Sequence, residues 1–287
     1  MILIDGKKVA ANIRSELKDK ISQLKTEGKN VPGLVAIIVG EDPASQIYVA
    51  SKGKACEEIG MRTKTEKLSA DISEAELLSL IQSYNQNNDF HGILVQLPLP
   101  KHINEDKVIE TISPKKDVDG FHPISVGNLV IGKDTFASCT PAGIQELLIR
   151  YKIETKGKHV VVVGRSNIVG KPIANIMLQK AEGANSIVTI VHSAAKDISY
   201  YTKQADILIA AIGKAEMIKA DMVKDGVAVI DVGINRIDDP TKAKGYRIVG
   251  DVDFENVSKK ASFITPVPGG VGPMTIAMLL SNTFKAY

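Results

Sequence analysis

The chain predicts an α/β fold in two domains, and three observations carry that prediction. Six short runs rich in Val, Ile and Leu recur along it, longer stretches of helical period separate them, and its 287 residues exceed the roughly 100 to 200 of a usual domain. Apolar runs without polar alternation are what a parallel sheet covered on both faces requires.

In chain order, Ile13, Leu17, Ile21 and Leu24 recur at helical spacing ahead of the first strand, LVAIIV at 34–39. The segment from Ser45 to Gly60 reads as a helix that Ser45 caps and Gly60 ends. Ser73-Glu74-Ala75-Glu76 reads as a capping box before Leu77, Leu78, Leu80, Ile81 and Tyr84. GILVQL at 92–97 is the next strand, stopped by Pro98 and Pro100. Thr140 and Pro141 offer an N-cap and first-turn pair leading into Ile144, Leu147 and Leu148, so the domain junction is placed near 140. A new βαβ series follows with HVVVV (159–163), SIVTIV (186–191), DILIAAI (206–212) and GVAVIDV (226–232). The last segment, Met274 to Tyr287, is an apolar helix after a Gly/Pro cluster, and the pattern leaves it free to dock on either domain.

Composition bounds the partners. Hydrophobic residues at 44% and charged residues at 24% suffice for packed cores, and a net charge of +3 is too slight to make a nucleic-acid backbone the expected ligand. Cys56 and Cys139 lie far apart and form no Cys-x-x-Cys pair, and no two of the five histidines are spaced as ligands on one helix. Buried thiols and no metal are expected. The N-terminus has no signal-peptide pattern, and no run approaches the ~18 apolar residues of a membrane span, so the expected location is the cytoplasm.

Four segments are placed to carry chemistry. Tyr48 and Lys52 are four residues apart on one helix face that continues through Ala55, Cys56 and Ile59, where a partly desolvated amine suits proton transfer. A lysine snorkelling from a helix edge gives the same spacing. Gln96 is one amide near the carboxyl end of an apolar strand, where ligands of open α/β sheets bind, and its side chain is placed either to orient Lys52 or to bond a loop backbone. Asp117 and Asp119 flank Val118 ahead of Gly120; the Asp-Gly pair favours a turn, while a carboxylate at a crevice can bind a paired ring N–H and amino group. Finally, Gly164-Arg165-Ser166-Asn167-Ile168-Val169-Gly170 follows a strand and opens a helix, where a dinucleotide phosphate finds free N–H groups. After the next strand comes His192-Ser193 and no carboxylate, so with Arg165 and Ser166 the site favours the 2′-phosphate of NADP over NAD. A packing turn or a simple anion site is the alternative. The cluster from Thr265 to Thr275, with Pro268, Gly269 and Gly270, is a stiff loop feeding a helix, free to contact either ligand.

In series, YVASKGKACEEIGM (48–61), GILVQLPLP (92–100), PKKDVDGFHP (114–123), GRSNIVGKP (164–172), DVGINR (231–236), GDVDF (250–254) and ITPVPGGVGPMT (264–275) closely resemble the bifunctional methylenetetrahydrofolate dehydrogenase/cyclohydrolase family. The resemblance implies a folate-binding catalytic domain at 1–140 plus 268–287, whose last helix returns to it, and a Rossmann-like doubly wound NADP-binding domain at 141–267. It implies that Tyr48, Lys52, Gln96 and Asp119 line the folate site, joined by Pro268, Gly269 and Gly270. Gly164, Arg165, Ser166, Ile168, Gly170, His192, Ser193, Gly233 and Ile234 fall to the cofactor. The implied activity is NADP-dependent oxidation of 5,10-methylenetetrahydrofolate to the methenyl form and hydrolysis of that to 10-formyltetrahydrofolate, by a homodimer. Two other readings stand at this level: a two-domain NADP dehydrogenase of another small substrate, and a non-catalytic NADP-binding sensor. This chain departs from the family pattern with Ser138 before Cys139, Ser125 where Asn is frequent, and Ala195 where a Thr hydroxyl is common near the cofactor.

Overall fold

The computed structural model describes residues 1–242 and 245–287. Its backbone divides into two compact units, Ala11–Cys139 with Ile276–Tyr287, and Met1–Ala10 with Thr140–Thr275. The chain opens with strand β1 (Ile2–Leu3) and helix α1 (Gly6–Thr26), on which Ile13, Leu17 and Ile21 are buried. Three parallel strands follow, β2 (Gly33–Val39), β3 (Arg62–Leu68) and β4 (Gly92–Val95), in the order β3-β2-β4. Helices α2 (Pro43–Ile59) and α3 (Glu74–Gln86) make the crossovers. β2 is paired on both sides and buried along its length, which is why it reads as a continuous apolar run. β3, RTKTEKL, is a sheet edge with no fully buried residue, so it needs no such run and does not stand out in the sequence.

The cap of α2 is Asp42, not Ser45. Pro43 takes the first turn, the Asp42 carboxylate accepts a hydrogen bond from Ser45 N at 2.7 Å, and Gly60 closes the helix at φ 80°. α3 forms its capping box as expected: Ser73 Oγ accepts from Glu76 N at 3.2 Å and the Glu76 carboxylate accepts from Ser73 N at 3.0 Å. Two short helices, α4 (Glu105–Thr111) and α5 (Pro123–Val130), lead to α6 (Cys139–Arg150). α6 starts ahead of the expected Thr140–Pro141 pair, and the Thr140 hydroxyl bonds that of Thr275 at 2.8 Å.

From β5 (His159–Val163) the chain alternates through α7 (Gly170–Leu178), β6 (Ile187–Val191), α8 (Ile198–Thr202), β7 (Ile207–Ala210) and β8 (Ala228–Asp231). An antiparallel hairpin, β9 (Asn235–Asp238) with β10 (Tyr246–Val249), precedes α9 (Phe254–Val257), β11 (Phe263–Ile264) and the final helix α10 (Val271–Ala286). The six-stranded sheet is parallel throughout, in the order β1-β11-β8-β7-β5-β6. Strand order reverses beside β5, which makes the carboxyl ends of β5 and β7 the topological switch point of a doubly wound domain.

This division differs from the expected boundaries at both ends of the chain. β1 is a strand of the six-stranded sheet, with Ile2 opposite Phe263 and Leu3 opposite Ile264, so Met1–Ala10 go with the second unit. The Gly/Pro loop up to Thr275 goes with it too. From Ile276 onward α10 belongs to the unit of the three-stranded sheet, where Asn282 Nδ2 donates to Val118 O at 2.8 Å and Ala137 O at 3.0 Å.

Candidate active site

In the first unit the structure joins Lys52 to Gln96. The buried row of α2 is Ser45, Val49, Ala55, Cys56 and Ile59, and Lys52 sits half-buried at its edge. Its Nζ donates to Gln96 Oε1 at 3.0 Å, and Gln96 Nε2 donates to Leu97 O at 2.8 Å. β4 ends at Val95, but Gln96 N still donates to Ile37 O at 2.8 Å, so the amide is held at the carboxyl edge of the sheet. Tyr48 lies one turn earlier on α2 and is 51% exposed, outside the apolar row in which its spacing placed it. An exposed tyrosine next to a held amine has its ring free for a ligand.

The two aspartates of the DVDG segment divide the work. Asp117 is buried and accepts from Phe121 N at 3.2 Å, His122 N at 2.9 Å and Ser125 Oγ at 2.7 Å. It builds the turn, and Ser125, where the family often has Asn, supplies one of the donors. Among the described residues Asp119 receives no backbone donor; its one hydrogen-bond partner is Cys139 Sγ, at 3.9 Å. Some of Asp119 stays open to solvent, yet its carboxyl is surrounded closely enough that burial pushes its pKa up to about 6, against the pull of the Lys52 charge. Both thiols are buried as expected. Burial pushes Cys56 up to about 12, and burial with the Asp119 charge holds Cys139 well above its usual value, so neither is a nucleophile.

In the second unit, the three loops beyond β6, β5 and β7 share one edge. Val163 is opposite both Val191 and Ala210, and Gly164 N donates to Val191 O at 2.8 Å. A Cβ on Gly164, which has φ 132°, would lie 2.2 Å from Ala211 O, and one on Gly170 would lie 2.4 Å from Gly164 O. The turn is thus closed on itself, as a backbone cradle for phosphate must be. Arg165, Ser166 and Ile168 are exposed on it, and Ser166 Oγ accepts from Val169 N at 3.1 Å and Gly170 N at 3.2 Å. Ser193 is exposed beyond β6, and half-buried His192 accepts at Nδ1 from Ala194 N at 3.3 Å, which leaves Nε2 for a ligand. Ala195 packs its methyl against the apolar core of this unit, so the missing Thr hydroxyl is replaced by core contact.

Gly233 and Ile234 share a hollow of about 170 Å³ with Pro268, Gly269, Gly270 and Lys7. The loop assigned to folate therefore stands on the unit that carries the dinucleotide residues. Among the described residues no cluster of His, Cys, Asp and Glu is arranged to hold a metal, and no helix is long and apolar enough to cross a membrane. Two further buried carboxylates, Asp231 and Asp251, have no role assigned by the sequence motifs. For Asp231 the signal is visible: it is the one carboxylate within the apolar run GVAVIDV.

A doubly wound domain with a glycine turn at its switch point, in one chain with an α/β unit that holds a lysine against an amide, defines a two-domain enzyme built around a nicotinamide dinucleotide. Residues 4–119 match the family model for the tetrahydrofolate dehydrogenase/cyclohydrolase catalytic domain, and residues 138–287 that for its NAD(P)-binding domain. The chain belongs to the tetrahydrofolate dehydrogenase/cyclohydrolase family. A relative from Chloroherpeton thalassium, Bifunctional protein FolD, is 62% identical over 289 residues, covering 100% of this chain and 98% of its own. The crystal structure of the bifunctional FolD enzyme from Campylobacter jejuni superimposes with a TM-score of 0.94 at 52% identity, covering 100% of this chain and 98% of its own. That of the Trypanosoma brucei enzyme, complexed with NADP cofactor and inhibitor, gives 0.92 at 39% identity, covering 100% and 97%.

Proposed function

We propose that Lys52 moves the proton of the hydrolytic reaction, that Gln96 fixes its amine, that Tyr48 and Asp119 bind the folate, and that the dinucleotide is NADP. The enzyme oxidises 5,10-methylenetetrahydrofolate to the 5,10-methenyl cation and hydrolyses that cation to 10-formyltetrahydrofolate. The Gly164–Gly170 turn, with Arg165, Ser166 and Ser193, would hold NADP, which would supply the hydride acceptor for the first reaction. The protein's part there is to orient the methylene carbon and exclude water. In the second reaction water adds to the methenyl carbon, one C–N bond opens, and one proton is released. Lys52 takes that proton and passes it on, and Gln96 holds the amine at a fixed point for the transfer. Asp119, with both oxygens free of backbone donors, offers a fork of acceptors to the paired N–H and amino group of a pterin ring. At the dinucleotide, exposed Arg165 and the Ser166 and Ser193 hydroxyls suit a 2′-phosphate.

The observation that carries this reading is the 3.0 Å bond from Lys52 Nζ to Gln96 Oε1, which ties helix to strand end across 44 residues of chain. A lysine merely snorkelling into water has no such partner. We further infer a cytoplasmic homodimer formed through the cofactor domain; Ile187 and Ile190, exposed on edge strand β6, supply apolar surface for it. Turnover of methylenetetrahydrofolate with NADP and with NAD, followed by acidification to reveal the methenyl product, tests the function. Lys52→Met is expected to abolish hydrolysis of supplied methenyltetrahydrofolate and keep measurable dehydrogenase activity; full hydrolysis would remove Lys52 from its role.

A further inference from the structure

Two buried carboxylates have no part in the reactions above. Asp251, two residues beyond β10, is fully buried, and its Oδ2 accepts from Ile212 N at 2.6 Å and Gly213 N at 2.9 Å. Its Oδ1 accepts from Lys214 N at 3.0 Å and from Asn235 Nδ2 at 2.9 Å. Asp231, at the end of β8, in turn accepts from Asp251 N at 2.9 Å, Val252 N at 3.0 Å and Gly233 N at 2.9 Å. A Cβ on Gly233 would lie 2.3 Å from Asp251 Oδ1, so the two carboxylates are locked between the Gly233–Asn235 segment and the turn beyond β7.

We propose that Asp251, held by Asp231, is a positioning residue for the dinucleotide: it fixes the Ala211–Lys214 turn against the Gly164–Gly170 turn at the switch point. This rests on the cofactor assignment made above. Three successive N–H groups converge on one internal carboxylate, the arrangement that elsewhere binds an external anion. Here those donors are already spent. The turn beyond β7 is therefore a fixed wall, and the phosphates are left to the glycine turn beyond β5. The wall matters because Ala211 O is the atom that a Cβ on Gly164 would strike at 2.2 Å. Releasing residues 212–214 frees Ala211 and with it the packing that shapes the cradle.

The test uses the full-length protein with Asp251→Asn, whose amide places N–H groups toward donors it must accept from. The KM values for NADP and for NAD are expected to rise together by about tenfold or more, since each lost hydrogen bond to a charged acceptor is worth roughly that factor. The KM for methylenetetrahydrofolate should stay within about twofold, because the loss is confined to cofactor binding. A general loosening of the protein would raise all three. Hydrolysis of supplied methenyltetrahydrofolate and the thermal midpoint report whether the variant is folded. Folded Asp251→Asn with wild-type KM for both cofactors overturns the proposal. If that variant does not fold, Asn235→Ala decides: removal of one donor should raise both cofactor KM values about threefold, and no change overturns the proposal. Wild-type protein without dinucleotide-dependent turnover would refute the function instead, and calorimetric NADP binding by the same variants would still judge the positioning role.

Discussion

Asp119→Asn is expected to make the protein more stable at neutral pH while it loses folate. Burial raises the Asp119 carboxyl from an ordinary value of 3.8 to about 6, an effect that already includes the opposing pull of Lys52. A raised value means that the folded protein holds this proton more tightly than the unfolded chain does. The associated stability is complete below about pH 4 and is lost as pH rises through about 6, and the full span corresponds to at most about 3 kcal/mol. An asparagine keeps the shape and carries no charge to desolvate. It also sacrifices little, since the one hydrogen bond to the carboxylate is the 3.9 Å contact from Cys139 Sγ. The variant should therefore be more stable than wild type by up to about 3 kcal/mol near pH 7.5, about 5 °C or more in midpoint, with the gap closing toward pH 4. Thermal unfolding followed by circular dichroism across that range reads the gap, and the folate KM, expected to rise about tenfold, reads the cost to function. An equal or lower midpoint at pH 7.5, or a gap that does not change with pH, would refute the reasoning.

Arg165→Ala should raise the KM for NADP about tenfold and that for NAD little if, as proposed, the exposed guanidinium pairs with the 2′-phosphate; an equal rise in both would contradict that assignment. Asp117→Ala leaves two backbone N–H groups and the Ser125 hydroxyl without their acceptor, and should lower stability by about 3 kcal/mol in urea unfolding. A loss below about 1 kcal/mol would mean that water replaces the carboxylate in that turn.

What the sequence discloses follows from where its residues are used. β2, β5, β7 and β8 are buried on both faces, so their apolar runs stand out with no knowledge of their partners. β1 and β11 are two residues each, and β3 is an edge; what makes them strands is a neighbour far along the chain, and no local pattern records it. The α2 cap is misread for a local reason: Asp42 and Ser45 are both able to cap, and Pro43, which tolerates only the first turn, is the residue that selects Asp42. The Lys52–Gln96 pair is legible because its two constraints are local, a lysine at the edge of an apolar helix face and a polar residue ending an apolar strand. The Asp231–Asp251 pair is not, since its meaning lies in backbone N–H groups contributed by residues 212–214, which any sequence would possess.

Those buried carboxylates also show how a functional group differs from a structural one of the same chemistry. Asp117, Asp231 and Asp251 each accept three or four hydrogen bonds from their own chain, and so each is an internal acceptor that closes a turn. Burying a carboxylate without such donors is costly, and selection for stability alone would remove it. Asp119 stands two residues from Asp117, is closely surrounded, and has the Lys52 charge acting on it but, among the described residues, only the Cys139 thiol as a hydrogen-bond donor. The proposed role answers that disadvantage, because it takes the missing donors from outside the chain. On that proposal, the ring N–H and amino group of a pterin are donors of the right number and spacing, and they would reach the carboxylate only when substrate is bound.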